Sequence, residues 1–145
     1  CQMADLILPK GNIVSIKDKN GNGNVYTSDA DTMLDVPLVV LINGYSASAS
    51  EIFAGAVQDY GIGTIVGKTT YGKGIVQNVI PLEDGDAIKL TTAKYFTPNG
   101  NNIHGIGIEP DVVCEFDSES YYEKDIDNQL EEAKKVLQNL IDDVK

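Results

Sequence analysis

Tryptophan is absent from this sequence, histidine occurs once, as His104, and cysteine twice, as Cys1 and Cys114. The two cysteines lie far apart with no CxxC spacing, so a zinc site built on thiolate pairs is excluded, and they leave the redox compartment open. Cys114 falls in an alternating apolar run, DVVCEF, and is expected to be a small buried side chain. Basic residues are scarce: 11 stand against 22 acidic ones, a net charge of −11. Such a surface repels the phosphates of nucleic acid, which is not expected as a partner. Long apolar runs are missing too. The longest, VPLVVLI from Val36 to Ile42, is too short to cross a bilayer, and the first residues show no basic stretch leading into an apolar one.

What is present is the composition of a globular protein. The 145 residues are 42% hydrophobic and 23% charged, enough for one domain with a usable core. ADLILPKG reads as the end of an apolar helix stopped by Pro9 and Gly11. NIVSIKD and NVYTSD alternate as two strands about a KNGNG turn. VPLVVLIN is a continuous β-branched run, the pattern of a strand buried on both faces in a parallel sheet. A helix from about Ser48 to Tyr60 follows, with Ile52, Phe53, Ala56 and Val57 on its apolar side and Gly61 at its end. GTIVGK, GIVQNVIPL and AIKLTTAKYFT are further strands, the last two joined at Asp84-Gly85, and DVVCEF is a short final one. The tail spaces Leu130, Ala133, Leu137, Leu140 and Ile141 along one face of a closing helix. The order predicts an α/β fold.

Residues 43–61, NGYSASASEIFAGAVQDYG, carry the chemistry. Ser48 lies past the carboxyl end of a buried strand and at a helix N-terminus, where parallel α/β sheets place their sites. Ser48 and Glu51 also satisfy S-x-x-E, a capping box, so the serine has a purely structural reading. The functional reading uses the same geometry, because free N–H groups and the positive dipole end favour developing negative charge. The N–H of Ala49 would be placed to donate to an oxyanion. A nucleophilic serine needs a base, and His104 and Lys73 are the candidates. Lys73 sits between Gly72 and Gly74, with Tyr71 before and Ile75 and Val76 after. A lysine serves as base only when uncharged, which requires apolar surroundings. Spacing alone does not pair it with Ser48.

The stretch from Ser46 to Gln77, SASASEIFAGAVQDYGIGTIVGKTTYGKGIVQ, resembles the active-site region of the C-terminal processing, or tail-specific, serine peptidases. The likeness includes the 25-residue step from Ser48 to Lys73. It extends through ADLILPKGNIVSIKDKNG before it, and through KLTTAKYFTPNGNNIHGIGIEPDVV and DNQLEEAKKVL after it. The resemblance implies a crotonase/Clp-peptidase-like core of stacked β/α units. It implies Ser48 as nucleophile, Lys73 as general base, Gln77 as the residue orienting the lysine, and Ala49 N–H as half of the oxyanion hole. A glutamine oxygen can hold an amine without adding a charge. No cofactor is implied. The expected partners are protein or peptide substrates with free C-termini, and the expected location is outside the cytoplasm.

The family's catalytic domain usually begins upstream, with a DLRxNPGG-like segment that supplies the second oxyanion donor, and a PDZ module usually precedes it. Neither is found here, so residues 1–145 are expected to be a partial catalytic domain, incomplete at its N-terminus. Low or no activity is expected of it alone, and self-association through an uncovered core edge is left open. A lipid-modified Cys1 is not expected. The rival of another class is a non-catalytic binding module of the same fold, as in retinoid-binding repeats; an acyl-CoA enzyme of crotonase type would leave SASAS unexplained. Asp18, Asn20, Asn22 and Asp29 nearly fit a calcium loop, but a hairpin turn accounts for them and calcium is not expected. His104 is expected to be structural or surface-exposed.

Overall fold

The computed structural model describes residues 1–31 and 33–143. A one-turn helix, α1 (Gln2–Asp5), leads into β1 (Gly11–Lys17) and β2 (Gly23–Ser28). Then come β3 (Val39–Ile42), α2 (Ala49–Tyr60), β4 (Thr64–Gly67), β5 (Ile75–Pro81) and β6 (Ala87–Phe96). A two-residue β7 (Val112–Val113) precedes α3 (Ser118–Lys124) and α4 (Asn128–Asp143). The expected α/β character is present, but the strands divide between two sheets. One is antiparallel with order β2-β1-β6-β5, and the other is parallel with order β3-β4-β7.

Helix α2 joins them, touching β1 of one sheet and β4 of the other. The core forms around it from Leu8, Ile13, Val14, Ala54, Ala56, Val57, Ile65, Tyr95, Ile103 and Ile108. The helix stops at Gly61, whose left-handed φ of 63° suits a residue without Cβ. At the other end of the chain α4 lies on β3 and β4, with Ala133 buried and Leu130 and Ile141 partly exposed.

Local turn chemistry was legible. Asp18 Oδ1 accepts from the N–H groups of Asn20 (2.8 Å) and Asn22 (2.9 Å), closing the β1–β2 turn. The carboxylate of the candidate calcium loop is thus occupied by its own backbone, and Asp29 Oδ1 similarly takes the Asp31 N–H at 2.9 Å. Among the described residues no group of three or more His, Cys, Asp or Glu is placed to hold a metal ion.

Two expectations are corrected, and one element was not anticipated. Strand β3 is not buried on both faces: Leu41 is 42% exposed while Ile42, on the opposite face, is buried, and the strand also lies at the edge of the parallel sheet. A β-branched run reports a strand's affinity for apolar neighbours, not how many neighbours it receives. Cys114 is half-buried instead of fully buried, because β7 ends at Val113 and the chain turns toward solvent, where Asn128 Nδ2 lies 3.6 Å from the sulfur. Its surroundings still raise the thiol pKa, chiefly through burial and then the Glu132 charge. Helix α3 was not anticipated; Asp117 caps it, accepting the Ser120 N–H at 3.1 Å.

Candidate active site

The site is set by the register of two parallel strands. Each residue of β3 pairs with the residue 25 positions on in β4, from Val39 with Thr64 to Ile42 with Gly67. Ser48 and Lys73 stand six residues beyond Ile42 and Gly67, the last pair of that ladder. The 25-residue step is therefore the strand offset itself, carried forward into two adjacent loops. Those loops are tied directly, Lys68 N–H to Ile42 O at 3.1 Å and Tyr71 N–H to Ser46 O at 2.9 Å.

Ser48 opens α2 with φ 58° and ψ −113°. An ordinary N-cap residue lies in the extended region, and a positive φ in a residue bearing Cβ costs about 1–3 kcal/mol. Ser48 and Glu51 stand as a capping-box pair whose tight half is the Glu51 carboxylate, which accepts the Ser48 N–H at 2.9 Å. The Ser48 hydroxyl makes no cap hydrogen bond. Of its neighbours, Ser46 turns its hydroxyl into its own loop, accepting the Asn43 N–H at 3.1 Å. Ala49 N–H begins the helix and has no acceptor among the described residues.

Glu51 is the residue whose wider part the sequence did not disclose. It is fully buried at 0% exposure. Its Oε1 accepts from Thr70 Oγ1 and from Gly72 N–H, both at 2.6 Å. Its Oε2 accepts from Ser48 N–H and from Lys73 N–H, both at 2.9 Å. Four donors are what a buried carboxylate needs to offset its lost hydration. The available signal was an acid at helical spacing from Ala54 and Gly55, on the face that turns inward.

Thr70 extends this network, since its Oγ1 also accepts the Ile108 N–H at 2.7 Å. Tyr95 closes it from the other sheet: its hydroxyl donates to the Lys73 carbonyl and lies 3.5 Å from the Ser48 carbonyl. Burial, and after it the Glu51 charge, push the Tyr95 phenol well above its ordinary value of 10.0. The unfolded chain then loses this proton first as pH rises. Between the two values the folded state binds more protons, so stability falls with rising pH. Thermal unfolding is expected to show this loss between about pH 9 and about pH 11, and Tyr95→Phe to reduce it. An unchanged slope in the variant would assign the loss to other groups.

Lys73 and Gln77 are both exposed. The Lys73 amine enters no ion pair among the described residues, and the Gln77 amide lies 3.3 Å from Thr91 Oγ1 across the β5–β6 ladder. What comes together is the backbone of Ser48 and that of Lys73, on one carboxylate oxygen. His104 lies in an exposed turn, its N–H 3.4 Å from Asn102 Oδ1.

A model of peptidase family S41 matches residues 1–114. The chain belongs to peptidase family S41. A carboxy-terminal-processing protease of Bartonella bacilliformis is 51% identical over 116 residues, covering 78% of this chain and 26% of that protein. A chloroplastic C-terminal processing peptidase of Tetradesmus obliquus is 42% identical over 111 residues, covering 76% and 24%. Among solved structures, a photosystem II D1 C-terminal processing protease superposes with a TM-score of 0.72 at 41% identity, covering 78% of this chain and 30% of that one. The fold is thus the crotonase/Clp-peptidase-like core of S41 catalytic domains. This S41 chain spans about a quarter of the length of the curated relatives it matches. No helix of the described residues is long and apolar enough to cross a membrane.

Proposed function

We propose that the protein is a serine endopeptidase that cuts protein substrates near their C-termini through an acyl-enzyme on Ser48. The observation that supports this most is the left-handed φ of 58° at Ser48, with its N–H and that of Lys73 on the same Glu51 oxygen. A residue serving only as a cap has no use for that strain, whereas a nucleophile lifted out of a strand-to-helix turn does. Ser48 Oγ attacks the scissile carbonyl and Lys73 takes its proton. Ala49 N–H, at the positive end of α2, stabilises the oxyanion. Collapse expels the amine with the proton from Lys73, and Lys73 then activates the water that hydrolyses the ester. Gln77 orients the lysine once its amide leaves Thr91.

Residues 1–145 are in this reading part of a larger catalytic domain, and the second oxyanion donor comes from outside them. The quarter of each relative's length that is spanned supports this. Substrates with free C-termini and a location outside the cytoplasm follow from the same kinship. The second reading, a binding module, draws on the exposure of Lys73 and the engagement of Gln77 with Thr91. A serine-directed fluorophosphonate decides between them: labelling is expected at Ser48 when the full-length protein is digested and mapped by mass spectrometry. Labelling at another serine, or none, goes against the peptidase.

A further inference from the structure

Resting on that Ser–Lys reading, we infer that Glu51 and Tyr95 are positioning residues, a buried brace that holds the Ser48 and Lys73 backbones in fixed register. The two residues follow different strands, and no covalent constraint keeps their loops together. Glu51 takes the N–H of each, both at 2.9 Å, on one oxygen. Tyr95 meets their carbonyls, bonding that of Lys73 and lying 3.5 Å from that of Ser48. Glu51 thus takes the N–H of both residues and Tyr95 the carbonyl of Lys73, while the Ser48 carbonyl accepts the N–H groups of Glu51 and Ile52 at 3.0 Å.

Each arm is carried by a regular element and bonded to further residues of the Lys73 loop. Glu51 rides on α2, and its second oxygen is saturated by Thr70 and Gly72 at 2.6 Å. Tyr95 belongs to β6, paired with Ile16 of β1, and its own N–H donates to Gly74 O at 3.1 Å. The brace thus ties the loops after the parallel strands to the antiparallel sheet. It also accounts for a carboxylate in place of an amide. Two oxygens that only accept satisfy two pairs of donors, whereas the glutamine amide would set its NH₂ against one of those pairs.

The test is made in the full-length protein with Glu51→Gln, which keeps the shape, and Tyr95→Phe, which removes one hydroxyl. With a peptide bearing a free apolar C-terminus, Glu51→Gln is expected to lower kcat on the order of 10²-fold with KM nearly unchanged, the effect of a small misplacement of reacting groups. Tyr95→Phe is expected to lower kcat about tenfold. Backbone ¹⁵N–¹H spectra of Glu51→Gln should move the Ser48, Gly72 and Lys73 amides, a pattern that general loosening of the core would not produce. A folded Glu51→Gln with wild-type kcat overturns the brace. If that variant does not fold, Tyr95→Phe with wild-type kcat overturns it. Activity that survives Ser48→Ala defeats the Ser–Lys reading and the brace with it. Loss in Ser48→Ala and Lys73→Ala alongside full kcat in Glu51→Gln defeats the brace alone.

Discussion

Ser48→Ala and Lys73→Ala are each expected to lower peptide hydrolysis by the full-length protein about 10⁴-fold or more, because in the proposed dyad nucleophile and base act as one unit. Lys73→Arg is the sharper variant. A guanidinium keeps the positive charge and much of the length but cannot give up its proton at any working pH. If Lys73 acts as the base, Lys73→Arg is as inactive as Lys73→Ala; if it serves only as a local charge, Lys73→Arg retains activity. His104→Ala should stay near wild type, since His104 sits in an exposed turn. Steady-state kinetics on one peptide compares all four. A live Lys73→Arg, or a dead His104→Ala beside an active Lys73→Ala, moves the base elsewhere. If Lys73 is the base, its exposure adds a physical requirement: its amine must be desolvated during turnover, because an uncharged lysine needs an apolar environment.

The second large effect is expected at Gly107. It adopts φ 83°, and a Cβ there would fall 2.5 Å from Thr70 O and 3.1 Å from Thr69 Cγ2. The left-handed conformation alone costs an L-residue about 1–2 kcal/mol. The clash adds to this because Thr70 cannot retreat: its N–H donates to Ile108 O at 3.1 Å and its hydroxyl to Glu51 at 2.6 Å. Gly107→Ala is expected to destabilise by about 3 kcal/mol, a fall in Tm of about 10 °C. It should also displace Glu51 and lower kcat in the surviving folded protein. Gly105→Ala is the control. It shares the loop and has φ 75°, but nothing lies within 4 Å of its added Cβ. It should therefore lose only the conformational part, about 1 kcal/mol. Equal losses in the two variants, by calorimetry, would show that the contact with Thr70 is soft.

Reading the chain alone recovered elements whose cause is local. The α2 helix with its Gly61 terminator, the Asp18–Asn22 turn and the Asp84-Gly85 hairpin each depend on residues within a few positions of one another, where periodicity and turn chemistry act. Ser48 was visible for the same reason, at a helix start after an apolar strand. The edge position of β3 was not visible, because neighbours in a sheet are chosen by distant segments. Nor was the packing of residues 103–108 against residues 69–74, joined by Gly105 N–H to Gly72 O at 2.9 Å.

By itself the sequence determined the candidate nucleophile, the lysine 25 residues after it, the family likeness and the helix whose start holds the serine. Only the tertiary structure decided that this interval is the register offset of two parallel strands, and that Glu51 is shared between both loops as well as capping a helix. The physical reason is that a buried carboxylate must find donors wherever the fold supplies them. Here they come from residues 19 to 22 positions away as well as from its own turn.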